Sequence, residues 1–431
     1  MGRDDRRGAA LPARGAPSRP FPRPRARPGR AGAPAPRRRA ARRARRARRG
    51  IGPRSGPTVT RAFEVVVIGG GIAGASLAYF LAARGVTDVL LLERESQPGS
   101  HATGRSAAVL AELDPISTLQ ELKVGSAGFL RRPPAGFSET PLLDPSGIMI
   151  LFREPVWSAL RQVAPLIEQG GTRLELLSPA DAAARIPVLL AERFDGAVLL
   201  PEDGHIDVHA LLWGYLRQAR RRGVEERFGA EVRGVRVENA RATAVVTADG
   251  EIAGRWVVNA AGAWAGTVAA LAGALPIPLV PHRRTIVVFD VPFDARAWPM
   301  VASDADQLYF APESGGLKLS PMDEEPMEAC DPQADDVAVA RAFERLARLA
   351  PALVPHALRR KWAGLRTFAP DRVPVVGEDP RVRGFFWLAG QGGCGIETSP
   401  LMGQIAADLL VDGRTERFDA SRLAPARFAT A

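Results

Sequence analysis

Apolar positions along this chain fall into three patterns. Nearly unbroken runs, rich in β-branched and aromatic residues, occur at 63–68 (FEVVVI), 89–92 (VLLL), 256–259 (WVVN) and 385–389 (FFWLA). Such runs predict short strands covered on both faces, as in a parallel sheet. Helical spacing is seen at 75–83, at 208–221 behind the capping residue Asp207, and from Ser399-Pro400 to about Leu410, where Ser at N-cap and Pro at the first position predict the start. Short stretches at 147–152, 195–200, 279–290 and 307–320 predict a second, β-rich region. The fold class expected is therefore α/β, a parallel sheet with helices beside a second, β-rich part.

Three of the strands run directly into glycine turns, and here the pattern acquires chemistry. The 63–68 run enters Gly69-Gly70-Gly71-Ile72-Ala73-Gly74, which fits G-x-G-x-x-G, and a helix pattern follows. The next strand ends at Glu93, nineteen residues after Gly74. Strand, turn, helix, strand and acid in this order predict a dinucleotide site. Gly69 permits the tight turn, Gly71 lets a pyrophosphate approach the backbone, and Gly74 lets helix and strand pack closely. Glu93 would accept from a ribose hydroxyl. The other turns are Ala260-Ala261-Gly262-Ala263-Trp264 and Gly390-Gln391-Gly392-Gly393-Cys394-Gly395-Ile396. A small, polar loop at 99–108 (GSHATGRSAA) can lie against a flat ring.

Composition changes the picture once it is divided along the chain. The 431 residues carry a formal charge of +11. Residues 1–57 hold nineteen arginines against two acids, a balance of +17, while 58–431 balance at −6. The basicity that would point to nucleic acid or a membrane surface thus belongs to a Pro/Gly/Ala/Arg segment with almost no core-forming side chains. This segment is expected to be disordered, or to result from a gene start placed too far upstream, with Val59 well placed as the first codon. It lacks the apolar stretch of a secretory signal, and no run approaches a membrane span. A cytoplasmic location is expected, without a nucleic-acid or membrane partner. Two cysteines exclude a disulfide scaffold. His205 and His209 are four apart, but with no third ligand beside them no metal is expected; the remaining histidines are His101, His282 and His356.

The segments ERESQPGSHATGRSAA, VVNAAGAWA, WAGLR and GQGGCGIETS together resemble the D-amino acid oxidase family of FAD-dependent oxidoreductases, over nearly all of 60–415. Within it they are most similar to bacterial D-arginine dehydrogenases, with features of sarcosine and glycine oxidases. The resemblance implies a Rossmann-like FAD domain over 58–142, 203–277 and 362–431, and a discontinuous substrate domain, built on an antiparallel sheet, over 143–202 and 278–361. It places FAD on Gly69, Gly71, Ile72, Ala73, Gly74, Glu93, Arg94, Thr103, Arg105, Ser106, Ala107, Val232, Gly262, Trp264, Gly392, Gly393, Gly395 and Ile396. The reaction implied is hydride transfer from the Cα of a D-amino acid or related amino acid to flavin N5. The imino acid so formed hydrolyses to a 2-oxo acid and ammonia. Alternatives are oxidation of a secondary amine, as by sarcosine and glycine oxidases, and oxidation of a 2-hydroxy acid. A rival of another class is a non-enzymatic anion- or nucleic-acid-binding protein working through its tail.

A carboxylate substrate calls for arginine, whose planar fork matches two oxygens. Among 55 arginines only position can select. Arg366 lies within an apolar strand pattern, and alternation puts Arg284, Ile286 and Val288 on one face with Arg283 on the other. The resemblance assigns the carboxylate to Arg284 and Arg366, with Tyr309 as hydroxyl donor. The His, Tyr and Glu that D-arginine enzymes carry fall here on Val109, Asp114 and Ile148, which implies a more apolar side-chain pocket unless Glu112 or Asp114 meets a cation. Lys318, one of three lysines, sits in a Gly-Leu-Lys context like the lysine that helps oxygen react in sarcosine oxidases, leaving oxygen or a quinone or dye as acceptor. His101-Ala102-Thr103-Gly104 is similar to the His-Ala-Ala-Gly through which relatives acting on dimethylglycine bond the ring. FAD is nonetheless expected to be non-covalent.

Overall fold

The computed structural model describes residues 61–354 and 357–429. The arginine-rich segment, Val59 and His356, all subjects of expectations above, lie outside them.

The strand Ala62–Ile68 is central in an eight-stranded sheet. It pairs in parallel with Val89–Glu93 on one side and Gly250–Asn259 on the other; the latter pairs in parallel with Phe385–Ala389. Alternation explains why these strands read as unbroken runs. Val65, Val67, Val89 and Leu91 point into one buried cluster, shared with the helices Ile72–Ala83, Val208–Arg221 and Gly395–Asp412. Val66, Ile68, Leu90 and Leu92 point into another, under the helix Ala265–Ala272. Each fully buried side chain of this size contributes roughly 1.5–3 kcal/mol, so both faces must be apolar.

The second eight-stranded sheet runs in the order Leu358–Phe368, Val280–Phe289, Gly316–Ser320, Leu308–Glu313, Met300–Ser303, Ile148–Phe152, Gly196–Leu200, Glu175–Leu177. The expectation of an antiparallel sheet needs one correction, because Met300–Ser303 and Ile148–Phe152 pair in parallel. A long connection between them allows this, whereas a hairpin would not. One face packs under the helix Asp336–Leu349; the other looks towards the segment that follows the 99–108 loop. Val109–Leu110, Gly204–Ile206 and Leu143–Asp144 form a small third sheet.

Asp207 caps its helix as expected, its carboxylate accepting from the Ala210 amide at 2.8 Å. The last long helix departs from expectation. It begins at Gly395 rather than at Ser399-Pro400, with Cys394 as N-cap and Pro400 inside. Pro400 has no N–H for the Ile396 carbonyl. The Ser399 hydroxyl supplies the missing donor, at 2.9 Å from that oxygen. The helix can therefore start five residues earlier and bring its first turn to the glycine loop.

Gly74 shows how tightly the first turn is closed: a Cβ there would stand 2.0 Å from the Gly69 carbonyl oxygen. We expect Gly74→Val to lower unfolding free energy by about 2–3 kcal/mol or more, the range of overpacked cores, measured as the shift in urea midpoint. Wild-type stability in that variant would refute the packing role.

Candidate active site

Two adjoining clefts, of about 900 and 1050 Å³, run along the carboxyl ends of the parallel strands. They share Gly71, Thr103, Arg105, Gly262 and Leu365, and so form one long, two-lobed cavity. The larger lobe collects Gly69, Glu93, Arg94, Val232 and Trp264. Glu93 is fixed by backbone donors, accepting from the Gly70 amide at 2.7 Å and the Glu95 amide at 2.9 Å. Each carboxylate oxygen keeps a lone pair free for a hydroxyl. The Arg94 guanidinium lies 3.7 Å from the centre of the Trp264 ring, a cation–π contact that forms one wall. His101 Nε2 is 2.8 Å from Glu95 and 3.1 Å from Arg94, while its Nδ1 is buried without a partner.

The other lobe is lined by Ile72, Ala73, Ser106, Ala107, Gly392, Gly393, Gly395 and Ile396 from the cofactor set, and by Arg284, Tyr309 and Arg366 from the second sheet. Thr103 also closes the first helix: its Oγ1 accepts the Ile72 amide at 3.0 Å, so this N–H is not open to a phosphate. Arg105 crosses to the second sheet, pairing with Asp331 and donating to the Ala363 carbonyl at 3.4 Å. Two expected residues line neither lobe. Gly74 acts from behind by packing. Lys318 stands one layer back, its ammonium donating to the Ala107 carbonyl at 3.0 Å and lying 3.7 Å from Glu313.

Strand register brings the clamp together. Arg284 is opposite Gly364 and His282 opposite Arg366, which puts both arginines on the cleft face. The strand Leu308–Glu313 supplies Tyr309 to the same face. Among the described residues, three groups here share one property: buried polar atoms without partners. Arg284, 5% exposed, donates from Nε to the Asp323 carbonyl at 3.0 Å and from Nη2 to Glu324 at 2.8 Å, but its buried Nη1 has no acceptor. Tyr309 Oη and Gln391 Nε2 are likewise buried and unpaired. Among the described residues Arg366 makes no ion pair; it packs on Gly393, where a Cβ would fall 2.9 Å from its Nη1. Burial, and then the charge of Arg366, pull the Arg284 guanidinium down to about 10, which leaves it cationic at neutral pH. Unpaired buried donors are destabilising, so this cluster fits an anion that the protein does not itself provide. Sequence reasoning missed Gln391; its place between two glycines of the loop was the available signal.

The wall behind the 99–108 loop is held by buried ion pairs. Lys123 lies 2.8 Å from Asp114 and 3.3 Å from Glu397, and Glu397 accepts the Ala111 amide at 2.9 Å. Arg131 lies 2.7 Å from Glu112 and 3.0 Å from Asp203, and Asp203 accepts the Glu112 amide at 2.8 Å. Glu112 and Asp114 are therefore engaged within the fold, and the expectation that either could meet a substrate cation is corrected.

The long cavity, the glycine cradle closed at Gly74 and the free capacity of Glu93 fit a dinucleotide with a ring at each end. Comparison with known proteins agrees. The family described as FAD dependent oxidoreductase (DAO) matches residues 64–409. Mouse mitochondrial sarcosine dehydrogenase is 29% identical over 377 residues, 82% of this chain and 40% of the relative. Rat mitochondrial dimethylglycine dehydrogenase is 26% identical over 408 residues, 87% of this chain and 46% of the relative. The chain thus spans less than half the length of these relatives. Among solved structures, glycine oxidase from Geobacillus kaustophilus superposes with TM-score 0.72 at 25% identity, covering 85% of this chain and 98% of that one. L-proline dehydrogenase from P. horikoshii gives TM-score 0.78 at 24% identity, covering 86% and 98%, and shares the fold.

The wall carries a pH signature. Burial raises the Asp203 carboxyl from 3.8 to about 7. A folded state that holds this proton more tightly than the unfolded chain is stabilised fully below pH 4 and loses that contribution as pH rises to about 7. Asp203→Asn cannot ionise. We expect the wild-type melting temperature to fall relative to the variant across this window, with a constant gap above it. Parallel curves throughout would refute the assignment.

Proposed function

The chain belongs to the DAO family of FAD-dependent oxidoreductases, and on that premise we propose that it oxidises the Cα–N bond of an amino acid held by its carboxylate. A D-amino acid is the first reading. An N-methylated glycine is the second, favoured by the similarity to enzymes named for sarcosine and dimethylglycine. The observation that carries the proposal is the convergence of Arg284 Nη1, Tyr309 Oη, Gln391 Nε2 and Arg366 on one lobe, without an internal acceptor. A preference for D-arginine is not part of it, because Glu112 and Asp114 already pair with Arg131 and Lys123.

When bound, FAD supplies a two-electron acceptor for the hydride on the substrate Cα. We assign Arg366 and Arg284 to the two carboxylate oxygens and Tyr309 to a further hydrogen bond, which together fix the orientation of the Cα–H. The apolar, uncharged lining from Ala107, Ile286, Leu365 and Ile396 excludes water. Among the described residues lining this lobe there is no carboxylate or imidazole. The amine must therefore arrive neutral, having left its proton in solvent. The released imine hydrolyses to a 2-oxo acid and ammonia. We also assign 58–142, 203–277 and 362–431 to holding FAD, and 143–202 and 278–361 to the substrate, with FAD bound non-covalently and oxygen, a quinone or a dye as acceptor.

Anaerobic bleaching of the flavin across D-amino acids, N-methyl glycines and 2-hydroxy acids tests the proposal. Arg366→Met and Arg284→Met should each lower kcat/KM by roughly 10- to 100-fold, the worth of a charged hydrogen bond, and Tyr309→Phe by about 10-fold. Unchanged values would exclude the clamp. Below the substrate amine pKa, kcat/KM should rise about tenfold per pH unit, and the break should move with the amine pKa of the substrate; a fixed break would reveal a protein base. Acid precipitation should leave a colourless pellet and a yellow supernatant. If oxygen is the acceptor, reoxidation in air should slow in Lys318→Met.

A further inference from the structure

Two sets of charge act on the lobe that carries the clamp. One is the pair of arginines that line it, Arg284 and Arg366. The other lines neither lobe and stands next to the turn 392–395, where one cation meets two carboxylates. Lys123 Nζ lies 2.8 Å from Asp114 and 3.3 Å from Glu397. Lys123 and Glu397 are both buried. Glu397 uses its second oxygen to accept the Ala111 amide at 2.9 Å. Burial drives the Glu397 carboxyl up, and the Lys123 ammonium and the Ala111 amide oppose that rise. Burial acts to lower the Lys123 ammonium, but Glu397 and the other nearby acids outweigh it and keep Lys123 protonated.

Glu397 sits in the first turn of the helix Gly395–Asp412, whose Gly395 and Ile396 line the lobe. The positive end of a helix favours negative charge placed before it, and a carboxylate in the first turn offsets that effect. The Cys394 thiol, between the lining residues Gly393 and Gly395, registers both sets of charge. Burial pushes it up to about 12, and Lys123, Glu397, Asp114 and Arg366 all act on it. The thiol is therefore neutral, and the cluster lies within electrostatic reach of the same turn as the clamp. The next carboxylates along the wall, Glu112 and Asp203, are met by Arg131 at 2.7 and 3.0 Å.

The hydride of the proposed reaction carries two electrons and one proton from the substrate Cα to the acceptor ring. The substrate is oxidised to its iminium form, and one negative charge arrives on the ring. A buried charge close to the ring changes such an equilibrium by roughly tenfold. Arg284 and Arg366 favour the arrival of that charge; the excess carboxylate of the cluster opposes it.

We propose that the Lys123–Asp114–Glu397 cluster sets the reduction potential of the bound FAD, with Glu397 holding it down so that electrons pass on to the acceptor. The inference rests on the reading above, in which the redox ring of FAD shares a lobe with the clamp. It adds a role for buried residues that touch neither lobe.

The test titrates the holoenzyme anaerobically against a dye of known potential at neutral pH, wild type beside Glu397→Gln, Asp114→Asn and Arg366→Met. Glu397→Gln keeps an oxygen for the Ala111 amide and removes only the charge. It should raise the equilibrium constant for two-electron reduction about tenfold, or about 30 mV for this couple. Asp114→Asn should act in the same direction, and decides the matter if Glu397→Gln yields no holoenzyme. Arg366→Met should lower the constant. Oxidised FAD, followed by the fluorescence released on dilution, should stay bound as in the wild type; a merely structural role would loosen it and leave the potential alone. A potential unchanged or lowered in both carboxylate variants, but lowered in Arg366→Met, overturns the inference and leaves the placement of the ring standing. A potential unchanged in all three overturns both.

Discussion

Two guanidinium groups face one cleft with no carboxylate between them among the described residues, and much else in the structure follows from holding them there. Like charges repel, and buried donors without acceptors destabilise a fold. Arg284 is tolerated because Nε and Nη2 are satisfied by the 323–324 segment, which leaves one corner free. Glu324 is itself shared with Arg372 at 3.0 Å, so it is not free to swing into the cleft and neutralise the site. An anionic ligand, such as the substrate carboxylate proposed above, would relieve the strain that remains.

The opposite wall must be as rigid as the clamp is charged. The 111–114 segment is tied at three of its four residues, Ala111 through Glu397, Glu112 through Asp203 and Arg131, and Asp114 through Lys123. Four carboxylates and two cations in a buried region are poor contributors to stability by themselves. Their geometric effect is to join the loop after the cofactor wall, the helix Ser117–Arg131 and the first turn of Gly395–Asp412. Two of the three lysines, Lys123 and Lys318, are buried in such roles in a chain that otherwise uses arginine. The compact ammonium fits where a guanidinium would not.

The half of the cleft that we assign to FAD was legible because its signals are local. Gly69, Gly71, Gly74 and Glu93 lie within one strand–helix–strand unit, so spacing alone carries their geometry. The start of the last helix was misread for the converse reason. Ser399-Pro400 has the local chemistry of a helix start, but Ser399 supplies from its hydroxyl the donor that Pro400 lacks, and the helix continues through it. Glu112 and Asp114 appeared available to a substrate because their partners, Arg131 and Lys123, lie a turn or more away along the next helix and gave no signal in the segment itself.

The sequence by itself determined the alternation of apolar runs and glycine turns, hence the α/β class, the dinucleotide cradle and the faces that Arg284 and Arg283 take. Those properties depend on neighbours in the chain and on the two-residue period of a strand. Only the tertiary structure decided which polar atoms end without partners. Arg284, Arg366, Tyr309 and Gln391 come from four separate segments, and whether a buried donor is satisfied depends on everything packed around it. That long-range accounting distinguishes the four groups we assign to substrate from the many arginines that simply face water.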